Sequence, residues 1–249
     1  TPKWDTPLSV GDTIEGYLGD SYQSLGTAVI TEFTAKNMPQ YRDDIIAAYA
    51  DGDSTLGDDT LVYEITIDRE LFLEKGDHIT DLDRICSNAV IKNSVFGKNR
   101  ARGILVKGQN LLIENNTITG CTLSAIAAHA DLYWCESGFP ANLTIIGNTI
   151  SNVCISSEFP RISNLDMVAA IVACVGHRSG EFGFIDNKQL KNINISGNTI
   201  TNTRGYGIFA VCCLGIEITD NTIVNVFSQG KGYVGGVYGT IPKTAVFVG

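Results

Sequence analysis

Short runs of alternating apolar and polar residues recur along the last two thirds of the chain. In one run, Ile193 and Ile195 alternate with Asn194 and Ser196, which predicts a short β-strand with one buried face. Five such runs align on the tripeptide Asn-Thr-Ile or the similar Asn-Ser-Val, at residues 89–95, 111–118, 143–150, 193–200 and 216–223. A repeated strand that cannot bury its face alone predicts a stack of similar coils.

The asparagines of these runs set the length of the repeat. They are Asn93, Asn116, Asn148, Asn198 and Asn221, at intervals of 23, 32, 50 and 23 residues. The short intervals are the length of one coil, and the long ones are a coil with an insertion. A second strand recurs in each unit, at residues 103–106, 125–128, 170–173, 207–210 and 245–248. Residues 85–249 are therefore predicted to form a right-handed parallel β-helix.

The recurring asparagine is interpreted as structural. Asn tolerates left-handed backbone angles at a sharp turn, and its amide forms hydrogen bonds with stacked copies above and below. The Asn-x-Ser/Thr sequons at Asn115, Asn142 and Asn194 lie within the same strands and turns, which disfavours glycosylation. A leucine-rich repeat is the main alternative solenoid, and the absence of a Leu-x-x-Leu-x-Leu pattern disfavours it.

Residues 1–84 lack this repeat and carry a different pattern. Alternating runs such as residues 61–67 are accompanied by five Gly-Asp pairs, which begin at Gly11, Gly19, Gly52, Gly57 and Gly76. Gly-Asp between alternating runs predicts tight turns of antiparallel strands. The fold class is thus all-β, with an antiparallel, barrel-like module at 1–84, attached to the helix or inserted in it, and the β-helix at 85–249.

Composition and charge disfavour several partners. The net charge is −9 and no run of Lys or Arg is present, so nucleic acid is not expected as a partner. No apolar run approaches the roughly 20 residues that span a bilayer, so no membrane association is expected. The seven cysteines are odd in number, lack the spacing of a metal site and are interpreted mainly as buried thiols. No metal or cofactor is expected.

The insertions between coils are the best candidates for chemistry, because loops at one corner of successive coils gather on one face. They run roughly over residues 131–141, 151–166, 178–190 and 227–243. The first follows His129 and contains Asp131, Trp134 and Glu136. Aromatic rings stack on sugars, and paired carboxyl groups act as acid and base in glycoside hydrolysis. Alternatively, the aromatic residues only cover the helix wall, with both carboxylates in solvent.

Two further side chains are candidates for the same site. Arg102 lies one coil earlier and is expected to pair with Asp131 or Glu136 across the stack. His177 follows the corresponding strand one coil after His129, so the two histidines are expected to face one cleft. Each also has a simpler interpretation: Arg102 ties two coils together, and His177 is an isolated surface histidine.

Three motifs lie around these residues, and their specific part is the pair Arg-Gly-Ile-Leu-Val and Trp-x-Glu-Ser-Gly. The three motifs are Asn-Arg-Ala-Arg-Gly-Ile-Leu-Val at 99–106, Leu-Leu-Ile-Glu-Asn-Asn-Thr at 111–117 and Asp-Leu-Tyr-Trp-Cys-Glu-Ser-Gly at 131–138. Val-Gly-Asp-Thr-Ile-Glu at 10–15 and Gly-Asp-His-Ile-Thr-Asp-Leu-Asp-Arg at 76–84 precede them in the same order. This set resembles the α-1,3-galactosidases of glycoside hydrolase family 110, which include enzymes that remove the terminal galactose of the blood-group B antigen.

The resemblance implies a right-handed β-helix with β-barrel modules, and metal-free hydrolysis of a terminal α-linked galactose with inversion. It places the catalytic aspartates of the family upstream of residues 10–15, so the chain is expected to be part of a longer enzyme. In that case Asp131, Trp134, Glu136 and Arg102 line the substrate site. If the chain is complete, Asp131 and Glu136 are the acid and base.

A glycan or oligosaccharide is therefore the expected partner, and a secreted or periplasmic location follows from the substrate class alone. Two other functions stay open. One is a non-enzymatic β-helix module, such as a carbohydrate-binding, fibre or adhesin segment. The other is a polysaccharide lyase, which ranks last because the loops lack a Lys/Arg cluster that would act beside a neutralised uronate.

Overall fold

The computed structural model describes residues 8–36, 62–130, 138–155, 169–175, 188–227, 234–235, 239–240 and 244–249. In these ranges the ordered elements are β-strands, and none of the described residues forms a helix long and apolar enough to cross a membrane. By their internal packing, Thr1–Arg84 and Ile85–Gly249 form two compact units. The predicted all-β class is confirmed.

The first unit contains a four-stranded antiparallel sheet. Its strands are β1 (Thr13–Tyr17), β2 (Ser24–Lys36), β3 (Val62–Ile67) and β4 (His78–Asp81), in the order β3-β2-β1-β4. All three pairings are antiparallel, as predicted for this region. Its buried core consists of Ile14, Ala28, Ile30 and Leu71.

The Gly-Asp pair at Gly11 forms a tight turn before β1, whereas the pair at Gly19 lies between the antiparallel strands β1 and β2, as predicted. Gly11 has a φ of 97°, which residues with a side chain rarely adopt. The carboxylate of Asp12 accepts a hydrogen bond from the amide of Ser9 at 2.7 Å, which closes the turn. Gly76 has a similar φ of 98° and is likewise followed by an aspartate that accepts a backbone hydrogen bond.

The described part of the second unit is a parallel β-helix of five coils that contribute to three parallel sheets. The first sheet contains β5 (Val90–Lys92), β8 (Gln109–Glu114), β11 (Ala141–Ile146), β14 (Leu190–Ser196) and β17 (Cys213–Thr219). The second contains β6 (Val95–Gly97), β9 (Thr117–Thr119), β12 (Thr149–Ser151), β15 (Thr199–Thr203) and β18 (Thr222–Val226). The third contains β7 (Ile104–Val106), β10 (Ile126–Ala128), β13 (Ala169–Ala173), β16 (Tyr206–Ala210) and β21 (Val246–Val248). The short strands β19 (Val234–Gly235) and β20 (Gly239–Thr240) pair antiparallel before β21.

Isoleucines stack in register in the interior of the helix. Ile113 pairs with Ile145, which in turn pairs with Ile195, and all three are buried. A second buried row consists of Ile118, Ile150 and Ile200. Burying each such side chain stabilises the fold by about 1.5–3 kcal/mol. The stacking of successive Asn-Thr-Ile segments is therefore confirmed.

Two adjacent residues share the turn between the first and second sheets. The first residue has a positive φ, at Asn93, Asn115, Gly147, Gly197 and Asp220. The second is a ladder asparagine, at Asn116, Asn148, Asn198 and Asn221. The prediction that a single asparagine has both the left-handed backbone and the ladder hydrogen bonds was wrong, and so was the placement of Asn93 in the ladder. The register aligns Asn93 with Asn115, and Ser94 with Asn116.

The interior asparagine ladder joins successive coils through hydrogen bonds. The Oδ1 of Asn148 accepts from the backbone amide of Asn116 at 2.9 Å and from its Nδ2 at 3.0 Å. The Oδ1 of Asn198 accepts in the same way from Asn148. The Nδ2 of Asn148 also donates to the backbone oxygen atoms of Ile113 and Ile146. The predicted structural role of the asparagines is confirmed.

A second asparagine ladder lies on the outside of the first sheet. It was not predicted from the sequence. The Nδ2 of Asn142 donates to Oδ1 of Asn110 at 2.8 Å, and the Nδ2 of Asn192 donates to Oδ1 of Asn142 at 2.8 Å. All three residues have a positive φ and are exposed. The amide of the Asn142 sequon is thus already engaged between two neighbours.

Among the cysteines that the structure describes, four are buried in the helix, as their interpretation as packed thiols predicts. They are Cys121, Cys154, Cys174 and Cys212. Cys213 is partly buried and Cys86 is exposed. Burial, together with the charge of the adjacent Cys212, raises the pKa of the Cys213 thiol to about 12, so this thiol stays protonated at neutral pH.

Tyr206 lies at the centre of an aromatic cluster. Its ring meets that of Phe227 edge-on, with centroids 4.8 Å apart, and that of Phe209 at a tilt, with centroids 5.4 Å apart. The side chain is fully buried. Burial raises the pKa of the Tyr206 phenol to about 12.

We predict that Tyr206 lowers the stability of the helix at high pH. In the unfolded chain the phenol loses its proton at about pH 10, whereas the folded chain retains it up to about pH 12. Between these values the unfolded state binds fewer protons, so the free energy of unfolding falls as the pH rises. Urea unfolding should show a smaller decline for Tyr206→Phe than for the wild type. Equal declines would contradict this assignment.

Candidate functional site

Two long connections leave the third sheet on adjacent coils. Both begin at the C-terminal ends of neighbouring strands, and we call this end of the sheet its edge. The two connections are residues 129–140 and 174–189, and the coils on either side have the two-residue connections 107–108 and 211–212. Ala128 at the end of β10 pairs with Ala173 at the end of β13. Ala141 at the start of β11 pairs with Lys191 in β14. The two connections therefore depart side by side, about 4.8 Å apart, and also return side by side.

The described ends of both connections are buried. His129, Ala130 and Phe139 are buried at the first connection, and Cys174 and Val175 at the second. The packed body of the helix therefore includes the residues at which the described part of each connection ends.

His129 is the described candidate closest to this edge. It directly follows β10, and its side chain is only 5% exposed. The Nδ1 atom lies 3.4 Å from the backbone oxygen of Ala130. The His129 ring is therefore buried where the first connection begins. Its contact with a substrate stays a prediction.

Arg102 lies at the opposite end of the third sheet. It precedes β7, and because Ile104 pairs with Ile126, its position corresponds to that of Ser124 before β10. His129 follows the same strand β10, so about 16 Å of strand separates the two positions along the sheet. The predicted pairing of Arg102 with Asp131 or Glu136 needs the first connection to fold back along the sheet, and it stays a prediction.

Four predicted site residues lie outside the described residues. They are Asp131, Trp134, Glu136 and His177. Their roles stay predictions, although the register fixes the strand ends from which their segments begin. Within the described ranges, no three His, Cys, Asp or Glu side chains come together as a metal site would require.

Lys107 lies at the same end of the third sheet and was not among the predicted site residues. Val106 pairs with Ala128, so Lys107 and His129 occupy corresponding positions on neighbouring coils. A cationic residue thus follows β7 at the position where the next coil begins its long connection. The repeat alignment contained this signal, because residues 103–106 and 125–128 align and the next residues are Lys107 and His129.

The four insertions leave the helix at two different corners. Residues 129–140 and 174–189 connect the third sheet to the first, whereas 152–168 and 227–245 connect the second sheet to the third. The expectation that all four gather at one corner was therefore wrong for two of them. The Asn-Thr-Ile alignment gives the length of an insertion, but strand boundaries are needed to place it at a corner.

The three parallel sheets, the stacked isoleucines and the interior asparagine ladder define a β-helix protein. The profile of the family described as right-handed beta helix region matches residues 82–241. This match covers more than half of the chain, which therefore belongs to the right-handed β-helix family, as predicted. No curated protein sequence matches the chain. The β-helix is compatible with a carbohydrate-active protein, and the fold alone does not assign an activity.

Proposed function

We propose that the chain is the β-helix of a glycoside hydrolase that releases terminal α-1,3-linked galactose with inversion. The substrate site is the groove between connections 129–140 and 174–189. The enzyme acts in a secreted or periplasmic setting, where such glycans are exposed. The motifs at 99–106 and 131–138 support the galactosidase assignment through their resemblance to glycoside hydrolase family 110.

The observation that carries the proposal is the shared origin of the two long connections. Short connections flank them on both sides, and the strands that they join are neighbours, so the described ends of the two long segments lie side by side. One segment contributes Asp131, Trp134 and Glu136, and the other contributes His177. Two loops that leave neighbouring strands can contribute side chains to one concave site, which is where sugar-binding groups act together.

Inverting hydrolysis assigns different chemistry to the two carboxyl groups. One donates a proton to the glycosidic oxygen as its bond to the anomeric carbon breaks. The other removes a proton from a water molecule that attacks that carbon from the opposite side, and β-galactose is released. The two groups need a separation of about 6.5–9.5 Å. Asp131 and Glu136 are five positions apart, which spans at most about 18 Å, so this separation is within their reach.

The remaining candidates are assigned to substrate binding. Trp134 packs against the face of the galactose ring, and His177 donates to a hydroxyl group from the opposite segment. His129 supports the first connection from its buried position. Arg102 binds the portion of the glycan that extends along the third sheet. If a longer polypeptide supplies the reacting carboxylates, Asp131 and Glu136 bind substrate hydroxyls in this groove.

The proposal is tested by incubating the chain with galactose-α-1,3-galactose and following the products by proton NMR. We expect β-galactose to form first and to mutarotate afterwards. Binding of the disaccharide without hydrolysis would assign the chain a substrate-binding role, either within a longer enzyme that supplies the reacting carboxylates or as a non-enzymatic binding module. The absence of both binding and hydrolysis would contradict the proposal.

A further inference from the structure

The outward side of the second sheet carries two rows of hydroxyl side chains. Ile118, Ile150 and Ile200 point into the interior, so the residues before and after each of them face outward. The first row is Thr117, Thr149, Thr199 and Thr222, in register on successive coils. The second row is Thr119, Ser151 and Thr201. We call these seven side chains the hydroxyl face.

The first row presents its hydroxyl groups to solvent. Its four threonines are exposed, and among the described residues their side-chain hydroxyls have no hydrogen-bond partner. The second row is partly buried, and there the Ser151 Oγ donates to the Thr119 Oγ1 at 3.1 Å. The groups of the first row are therefore available to an external ligand.

The hydroxyl face has a regular two-dimensional repeat. Adjacent parallel strands lie about 4.8 Å apart, and alternate residues along a strand lie about 6.6 Å apart. Three consecutive coils carry a hydroxyl at both positions, in Thr117 with Thr119, Thr149 with Ser151, and Thr199 with Thr201. The short repeat is close to the short repeat of the water oxygens on the prism faces of hexagonal ice, and the long repeat is about a tenth shorter than the corresponding ice repeat.

The asparagine ladder holds this array in register. Each threonine of the first row directly follows a ladder asparagine, as Thr149 follows Asn148 and Thr199 follows Asn198. Side-chain ladders stabilise flat sheets that would otherwise twist. The face is thus attached to turns that side-chain hydrogen bonds join from coil to coil, and it is suited to a rigid, periodic partner.

The hydroxyl face is uncharged, although the chain has a net charge of −9. The remaining outward positions in the same two rows are Val95, Gly97 and Val224. The outward side of the first sheet differs, because it carries Lys92, Glu114, Lys191 and Glu217. Charged side chains bind hydration water tightly, so a face without charge fits a neutral partner.

We propose that the hydroxyl face binds ice. Threonine hydroxyls and methyl groups hold water molecules at the repeat of the face, and these waters become part of the growing lattice. The face covers three complete coils, so the expected activity is slowing of recrystallisation rather than strong depression of freezing. This binding does not depend on the proposed galactosidase site, which lies at the edge of a different sheet.

The experiment measures ice recrystallisation and incorporation into slowly growing ice for the wild type and two variants, Thr149→Lys and Thr199→Lys. Both positions are exposed, so a lysine is accommodated outside the core. We expect each variant to need at least about a tenfold higher concentration for the same effect. The matched control is Ile146→Lys, on the same coil but on the outward side of the first sheet, where the side chain is 37% exposed.

Circular dichroism establishes that all variants are folded. Retained activity in Ile146→Lys, together with loss in both threonine variants, supports the proposal. A wild type that acts no better than serum albumin overturns it, as does an equal loss in Ile146→Lys. Adsorption to crystalline cellulose or chitin that is lost in Thr149→Lys, without any effect on ice, also overturns it and assigns the face to a polysaccharide.

Discussion

Replacing Asn148 with alanine is expected to reduce the free energy of unfolding of the β-helix by about 3–5 kcal/mol. The substitution removes the Oδ1 that accepts from the backbone and side-chain amides of Asn116. It also removes the Nδ2 that donates to Asn198 Oδ1 and to the backbone oxygen of Ile113. These groups are buried, and each one left without a partner costs about 1–3 kcal/mol.

The matched control for this prediction is Asn142→Ala in the outer ladder. Asn142 accepts one side-chain hydrogen bond and donates another, but it is exposed, so water replaces the lost partners. We expect a cost of about 1–2 kcal/mol, part of which comes from its positive φ of 51°. Urea denaturation followed by circular dichroism measures both. Equal destabilisation by the two variants would show that the interior ladder is not the main link between coils.

The second large effect concerns the proposed acid and base. Asp131→Asn and Glu136→Gln keep the size of each side chain but remove its ability to transfer a proton. If these residues perform the chemistry, we expect kcat for α-1,3-galactoside hydrolysis to fall by about 100- to 10,000-fold, with little change in KM. An unchanged kcat with a raised KM would instead assign them to substrate binding.

Asp220→Asn is the matched control for these two variants. Asp220 lies at the turn between the first and second sheets, with a φ of 54°, where other coils have Asn93 and Asn115. Asparagine is therefore compatible with the local backbone, and the position is distant in the coil from the edge that carries 129–140. We expect wild-type kcat for Asp220→Asn. A similar loss in this control would show that the effect on kcat is not specific to the proposed site.

The fold was accessible from the sequence because the repeat carries the same physical requirement in each coil. Ile113, Ile145 and Ile195 recur at equivalent positions, since each must cover the one below it. The division of the turn between two residues was not accessible from the motif alone. Asn93 and Asn116 are both asparagines next to a strand, and only the pairing of Val95 with Thr117 shows that they differ in position.

The candidate site was less accessible because it depends on where strands end. Arg102 and His129 both flank copies of the second predicted strand, but one precedes its strand and the other follows it. A distance of several residues along a strand separates them, although they are on neighbouring coils. Lys107 was missed for the opposite reason, since its equivalence to His129 comes from the residue after the aligned segment.

Hydrogen exchange in the presence of galactose-α-1,3-galactose tests most directly whether the two adjacent connections form one glycan site. We expect peptides covering 129–140 and 174–189 to become protected from exchange together. Peptides covering 152–168 and 227–245, which leave the helix at another corner, should exchange as they do without the sugar. The proposal of one glycan site would be contradicted by protection of only one of the two long connections. Protection of the other pair, or no protection at all, would also contradict it.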